Sequence, residues 1–144
     1  MEFNELIEGF AERLGLTGLR VDADGFARFT AGELVLAMTE VPETRSALLF
    51  VELGSAKKSA YERLLGEMFM GRRTDGAVFS VNDGRLYLHR LEKLDDLDVG
   101  RLLVAADRLL GLAKAEKVEL DQIFEEETTM RKEPGHGTDL FVRV

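Results

Sequence analysis

Residues 33 to 53 constrain the fold more than any other part of this chain. They read Glu33-Leu-Val-Leu-Ala-Met-Thr-Glu-Val-Pro-Glu-Thr-Arg-Ser-Ala-Leu-Leu-Phe-Val-Glu-Leu53, two extended runs joined at Pro42-Glu43-Thr44. Successive strand side chains point to opposite faces, so a half-buried strand alternates apolar with polar residues. These runs barely alternate. Leu34, Leu36 and Met38 share one face of the first run and Val35, Ala37 and Val41 the other; in the second, Ala47, Leu49, Val51 and Leu53 oppose Leu48 and Phe50. A strand that is apolar on both faces needs cover on both. How this chain supplies that cover is the question that leads to its function.

At 144 residues the chain is long enough for one domain with a real core, and its 45% apolar content argues against a disordered polypeptide. The formal net charge is −8, with no basic tract to offset it. Nucleic acid and anionic membrane surfaces are therefore poor partners on electrostatic grounds. The chain has no cysteine, which excludes disulfides and thiolate metal sites and fits a reducing compartment. The opening Met1-Glu-Phe-Asn-Glu-Leu-Ile-Glu8 is too acidic and interrupted for a signal peptide, and no apolar run approaches the roughly 20 residues that span a bilayer. A cytoplasmic protein is expected.

Residues 2–14 have helical spacing, with Phe3, Leu6, Ile7, Phe10 and Leu14 on one stripe and Gly15 as its stop. Leu16 to Val21 reads as linker. Asp22-Ala-Asp-Gly25 is a turn, Phe26 to Thr30 a short strand, and Ala31-Gly32 the turn into the double-sided runs. Three strands with short connections predict an antiparallel meander. Ser55 is positioned to cap a second helix over 56–70, with the stripe Tyr61, Leu64, Leu65, Met68 and Phe69. Ala77 to Val81 and Arg85 to Leu91 form a hairpin about Asn82-Asp-Gly84. Asp95 or Asp96 is expected to cap a long last helix carrying Val99, Leu102, Leu103, Ala106, Leu109, Leu110 and Ala113, with Asp98 in its first turn. The chain thus divides into an α+β domain over 1–120, in the order α-β-β-β-α-β-β-α, and an acidic tail over 121–144. That tail reads as extended or disordered, with Leu140-Phe-Val142 able to add an edge strand.

Chemistry is hard to find. His89 falls within a strand and His136 in a Pro-Gly-His-Gly loop, neither in a metal-site or triad context. Asp22-Ala-Asp-Gly lacks the remainder of a calcium loop, and Gly66, Gly71 and Gly76 are too far apart to cradle phosphate. Glu40 and Glu52 stand among apolar strand residues, where a charge that protects a sheet edge is the simplest reading. No catalytic, metal-binding or cofactor-binding residue is expected. What remains is binding: either a compact monomer buries both faces of the meander, or helices mostly on one sheet face leave its second face as an apolar patch of the kind that marks a partner site.

The opening helix Phe3-Asn-Glu-Leu-Ile-Glu-Gly-Phe-Ala-Glu-Arg-Leu-Gly-Leu16, the meander ending Leu48-Leu-Phe-Val-Glu-Leu-Gly54, and Leu86-Tyr-Leu-His-Arg-Leu-Glu-Lys-Leu94 running into the last helix carry a resemblance. In that order of elements the chain resembles the class I type III secretion chaperones, the Tir chaperone-like family, over residues 1 to 120. The resemblance implies a bacterial cytoplasmic homodimer without enzymatic activity or cofactor. Such a dimer binds the N-terminal segment of a secreted effector in extended form and keeps it soluble and competent for export. It implies a dimer interface from Tyr61, Leu64, Leu65, Met68, Phe69 and Val78. It also implies effector contacts from Phe3, Ile7, Phe26, Leu34, Leu36, Met38, Leu48 and Phe50. The alternative is a non-secretory structural or regulatory adaptor of the same fold that binds a folded protein partner.

Overall fold

The structure is a computed structural model that describes residues 2–57, 64–66 and 76–132, with side chains as far as residue 122. Helix α1 spans Phe3–Leu14. At its start the Glu2 carboxylate accepts the third-position N–H, and Glu5 Oε1 accepts the Glu2 N–H at 2.9 Å, a reciprocal cap. Gly15, at φ 68°, ends it in the left-handed conformation expected of it. Strands β1 (Phe26–Ala31), β2 (Leu34–Val41) and β3 (Ser46–Ser55) form the expected meander. Strands β4 (Val78–Asn82) and β5 (Arg85–Lys93) form the hairpin, and helix α2 runs from Val99 to Lys132. All five strands join one antiparallel sheet in the order β1-β2-β3-β5-β4.

Local chemistry accounts for the joints. Asp22 Oδ1 accepts the N–H groups of Asp24 and Phe26 at 2.9 and 3.0 Å, folding Asp22-Ala-Asp-Gly25 into a turn ahead of β1. The β4–β5 loop is Asp83-Gly84 at φ 53° and 75°, the paired left-handed geometry whose twist matches that of the strands it joins. The connection after β2 is one 3-10 turn, Pro42–Thr44, closed by Arg45 at φ 49°.

The core lies on one side of the sheet. Ala27, Leu36, Met38, Leu49, Val51 and Leu88 point to the same side and are buried against Phe3, Leu6, Ile7 and Phe10 of α1 and Leu102, Leu109 and Ala113 of α2. Along α2 the buried positions 102, 105, 106, 109, 113, 116 and 120 follow a helical stripe. Glu116 sits within it at 2% exposure and is not without a partner.

Four expectations are corrected. The cap of α2 is Asp98, whose carboxylate accepts the Arg101 N–H at 2.8 Å; Asp95 and Asp96 instead form a 3-10 turn with Leu94. Residues 121–132, read as the start of an extended tail, continue α2 as helix. Glu40 and Glu52 lie on β2 and β3, inside the sheet rather than on its edge strands β1 and β4, and Glu52 is ion-paired with Arg85 across β3 and β5. Ser55, expected to cap a helix over 56–70, is instead the last residue of β3, paired with Arg85, and residues 56 and 57 are not helical. Of the middle helix, Leu64–Gly66 are helical; Tyr61, Met68 and Phe69 and residues 133–144 with His136 lie outside the described residues.

The two helices touch where α1 is thinnest. A Cβ built on Gly9 would stand 2.5 Å from Val99 Cγ2, closer than two carbons tolerate, and the branched Val99 side chain has little freedom to withdraw. Gly9→Ala therefore destabilises the protein by about 1 kcal/mol, because overpacking of about 1–3 kcal/mol outweighs the gain of about 1 kcal/mol in helix propensity. In a Val99→Ala background the same change becomes stabilising by about 1 kcal/mol. Urea unfolding of the four proteins checks the reversal of sign.

Candidate docking surface

The face of the sheet opposite the core carries an apolar and aromatic surface, and no helix lies over it among the described residues. Register builds it. Arg28 pairs with Ala37, Ala37 with Phe50, Phe50 with His89, and His89 with Val78, placing one row across all five strands. A parallel row is Phe26, Thr39, Leu48 and Leu91; Glu52 and Ser80 flank Tyr87 in a third. Several of these side chains stand well into solvent: Leu91 is 56% exposed, Val35 47% and Val78 44%.

The aromatic members lock together. The rings of Phe26 and Phe50 meet edge to face with centroids 6.0 Å apart, and Phe50 meets Tyr87 likewise at 5.9 Å. The small Ala37 and Thr39 on the intervening β2 leave room for the rings from β1 and β3 to touch. Arg28 lies 4.6 Å from the centroid of Phe26, and Asp22 holds its guanidinium at 2.8 Å. Hydrogen bonds from the Phe26 and Asp24 N–H groups, with the Arg28 charge, keep the Asp22 carboxyl below its ordinary value. The support this turn gives the row is thus present at neutral pH and lost only as pH falls below the ordinary carboxylate range. His89, half-buried in the middle of the face, has its pKa lowered by desolvation.

Among the described residues nothing resembles a catalytic constellation, and no cluster of three or more His, Asp or Glu able to hold a metal exists there. A groove of about 670 Å³ runs between the β1–β2 turn and α2, lined by Leu34, Leu110 and Val118 with Lys114, Lys117 and Asp121, without histidine or hydroxyl.

The residues named from the resemblance divide sharply. Phe26, Leu48 and Phe50 lie on the helix-free face, partly exposed. Phe3, Ile7, Leu34, Leu36 and Met38 are buried in the core, which corrects their assignment to an exposed patch. The reason is the direction of the sheet: its even-numbered β2 residues face α1 and α2, and α1 spends its apolar stripe on the sheet. Leu64 is likewise buried within its own chain, whereas Leu65 is 63% exposed. Sequence reasoning missed Val35, Tyr87, His89 and Leu91. Their signal was present, since Leu86-Tyr-Leu-His-Arg-Leu91 is apolar on both faces, as β2 and β3 are.

Residues 5–117 match the model of the Tir chaperone protein (CesT) family. The chain belongs to that family. The family is one of chaperones, not enzymes. A comparison with curated protein sequences finds no match. Among solved structures the chain is similar to one in the ExsC-ExsE complex, with a TM-score of 0.70 at 18% identity over 81% of this chain and 95% of the other. It is similar to one in the HopA1-SchA chaperone-effector complex, with a TM-score of 0.70 at 17% identity over 78% and 91%. A third similarity is to the Yersinia pestis type III secretion chaperone SycH in complex with a stable fragment of YscM2. There the TM-score is 0.64 at 18% identity over 79% and 98% of the two chains. At these identities the likeness is one of fold.

The two sheet faces respond differently to charge. Leu36→Asp places a carboxylate in the core and unfolds the protein at a cost of about 4–5 kcal/mol or more. Phe50→Asp removes only the edge-to-face pairings with Phe26 and Tyr87. It leaves a folded protein whose melting point falls by only a few degrees, roughly 1–2 kcal/mol. Thermal melts followed by circular dichroism separate the two.

Proposed function

We propose that this chain is a type III secretion chaperone of the bacterial cytoplasm, which binds the N-terminal segment of a secreted effector on the helix-free face of its sheet. The observation that carries this reading is the aromatic row Phe26, Phe50 and Tyr87, edged by Val35, Leu48 and Leu91, on a face without helix cover among the described residues. Strands about 4.8 Å apart make the five-stranded face roughly 19 Å wide, the span of about six residues of extended chain. A segment that crosses it covers apolar surface in the client as well, which keeps an unfolded client soluble. SycH, a type III secretion chaperone of similar fold, is seen in complex with a fragment of YscM2. Strand β1, at the edge of the sheet with no further strand beside it among the described residues, adds a second mode of capture, main-chain pairing, with little demand on client sequence.

The proposed assembly is a homodimer through the middle helix. The support for it is Leu65 at 63% and Val78 at 44% exposure, apolar side chains that their own chain leaves uncovered. Tyr61, Met68 and Phe69 complete the proposed interface from the sequence stripe, and Leu64 supports it from the core side. Residues 1–120 then act as the chaperone domain.

Co-expression with N-terminal effector segments tests the function. The wild-type protein should co-purify with its client, and Phe50→Asp should lose it by at least tenfold while remaining folded. A protein that captures only a folded domain, or none of the segments, contradicts the reading. Light scattering at micromolar concentration should give twice the chain mass, falling to one chain with Leu65→Asp; a monomer in both cases contradicts the dimer.

A further inference from the structure

The middle of the helix-free face holds a titratable group where apolar contact is needed. His89 pairs in register with Phe50 on one side and Val78 on the other, and Tyr87 and Leu91 flank it on the same face of β5. Its imidazole makes no hydrogen bond or ion pair among the described residues. The groups on this face able to influence its charge are few. Arg28 on β1 is engaged by Asp22, and Glu52 on β3 is the single carboxylate on this face of the described strands and is bound to Arg85. Lys93 lies four residues along β5, about 13 Å away. The same faces of β2 and β4 contribute no charge: theirs are Val35, Ala37, Thr39 and Val41, and Val78, Ser80 and Asn82. The phenol of Tyr87 is uncharged across the physiological range. An imidazolium here therefore has apolar and aromatic neighbours and no free carboxylate on this face of the described strands.

We propose that His89 makes client binding on this face pH-dependent, permitting it when the imidazole is neutral and weakening it as the imidazole is protonated. The inference rests on the docking face of the proposed function. A client segment lying across Phe26, Phe50 and Tyr87 also lies over His89 and strips water from it. Removal of water disfavours the charged form, and the uncovered face already lowers the imidazole pKa by burial. By linkage, a client that depresses that pKa further binds the neutral form more tightly, by a factor of about ten for each unit of further depression. Affinity is therefore full at and above the ordinary histidine value of about 6.5 and falls below it, as pH drops through the lowered pKa of the uncovered imidazole.

The test uses the full chain and Nile red, an uncharged apolar dye, as the probe of the face, at pH 7.5 and 5.0. Phe50→Asp should lose dye binding at pH 7.5. Dye binding equal to wild type in Phe50→Asp overturns the docking face and this inference together. With the face established, wild type should bind about five- to tenfold more weakly at pH 5.0, and His89→Phe should change less than twofold. Parallel weakening of wild type and His89→Phe overturns the role of His89 and leaves the docking face standing. Should His89→Phe fail to fold, His89→Gln removes the charge with a polar side chain and the same two outcomes apply. A second readout is the imidazole pKa itself, followed by NMR with His136→Gln to leave a single histidine. Dye should lower it; an unchanged or raised value overturns the proposal.

Discussion

A sheet covered by helices on one side must settle what its other side does, and that constraint governs this protein. Helices α1 and α2 both pack on the face that carries Leu36, Met38, Leu49, Val51 and Leu88. Each large aliphatic side chain buried there contributes about 1.5–3 kcal/mol, so one face supplies most of the cohesion a small domain needs. The other face is left with Phe26, Phe50, Tyr87, Leu48 and Leu91, apolar groups with no helix over them among the described residues. The chain buries one apolar surface to fold and leaves a second without helix cover among the described residues, the surface proposed to take the client.

The second surface is ordered as well as apolar. Edge-to-face contacts worth about 0.5–1.5 kcal/mol each fix the rings of Phe26, Phe50 and Tyr87 before anything binds, so less freedom is lost on docking. Charge is placed around the rings: Arg28 over Phe26 and held by Asp22, and Arg85 bound to Glu52. Exposed ion pairs of this kind add little stability, so their weight lies in orienting side chains at the border of an apolar patch. A net charge of −8 keeps a protein with such a patch dispersed.

Where local chemistry decides conformation, the structure follows from short stretches of sequence. Gly15 ends α1, Asp22 closes the turn before β1, and Asp83-Gly84 makes the hairpin, each through a constraint that acts within a few residues. The boundaries of α2 were harder to read for physical reasons. Asp95, Asp96 and Asp98 are all able to cap, and the choice falls on Asp98 because Leu94 and Leu97 are both drawn into the core, which holds 94–96 in a 3-10 turn. Beyond Leu120, the run Glu125-Glu-Glu127 looks like a solvated tail, yet glutamate, methionine, arginine and lysine all favour helix, and α2 continues through them.

The double-sided runs of residues 33 to 53 show where the division lies. Sequence alone determined that β2 and β3 are apolar on both faces, and hence that this chain must cover or use two surfaces; β5 carries the same signature at Leu86 to Leu91. It could not assign the faces, because alternation has a period of two and is the same from either side. Tertiary structure made the assignment by placing α1 and α2 against Leu36, Met38 and Leu49, so that five of the eight expected contact residues became core while Phe26, Leu48 and Phe50 stayed on the open side. It also brought Tyr87 and His89 beside Phe50 from a strand more than thirty residues away, a juxtaposition set by the β3–β5 register.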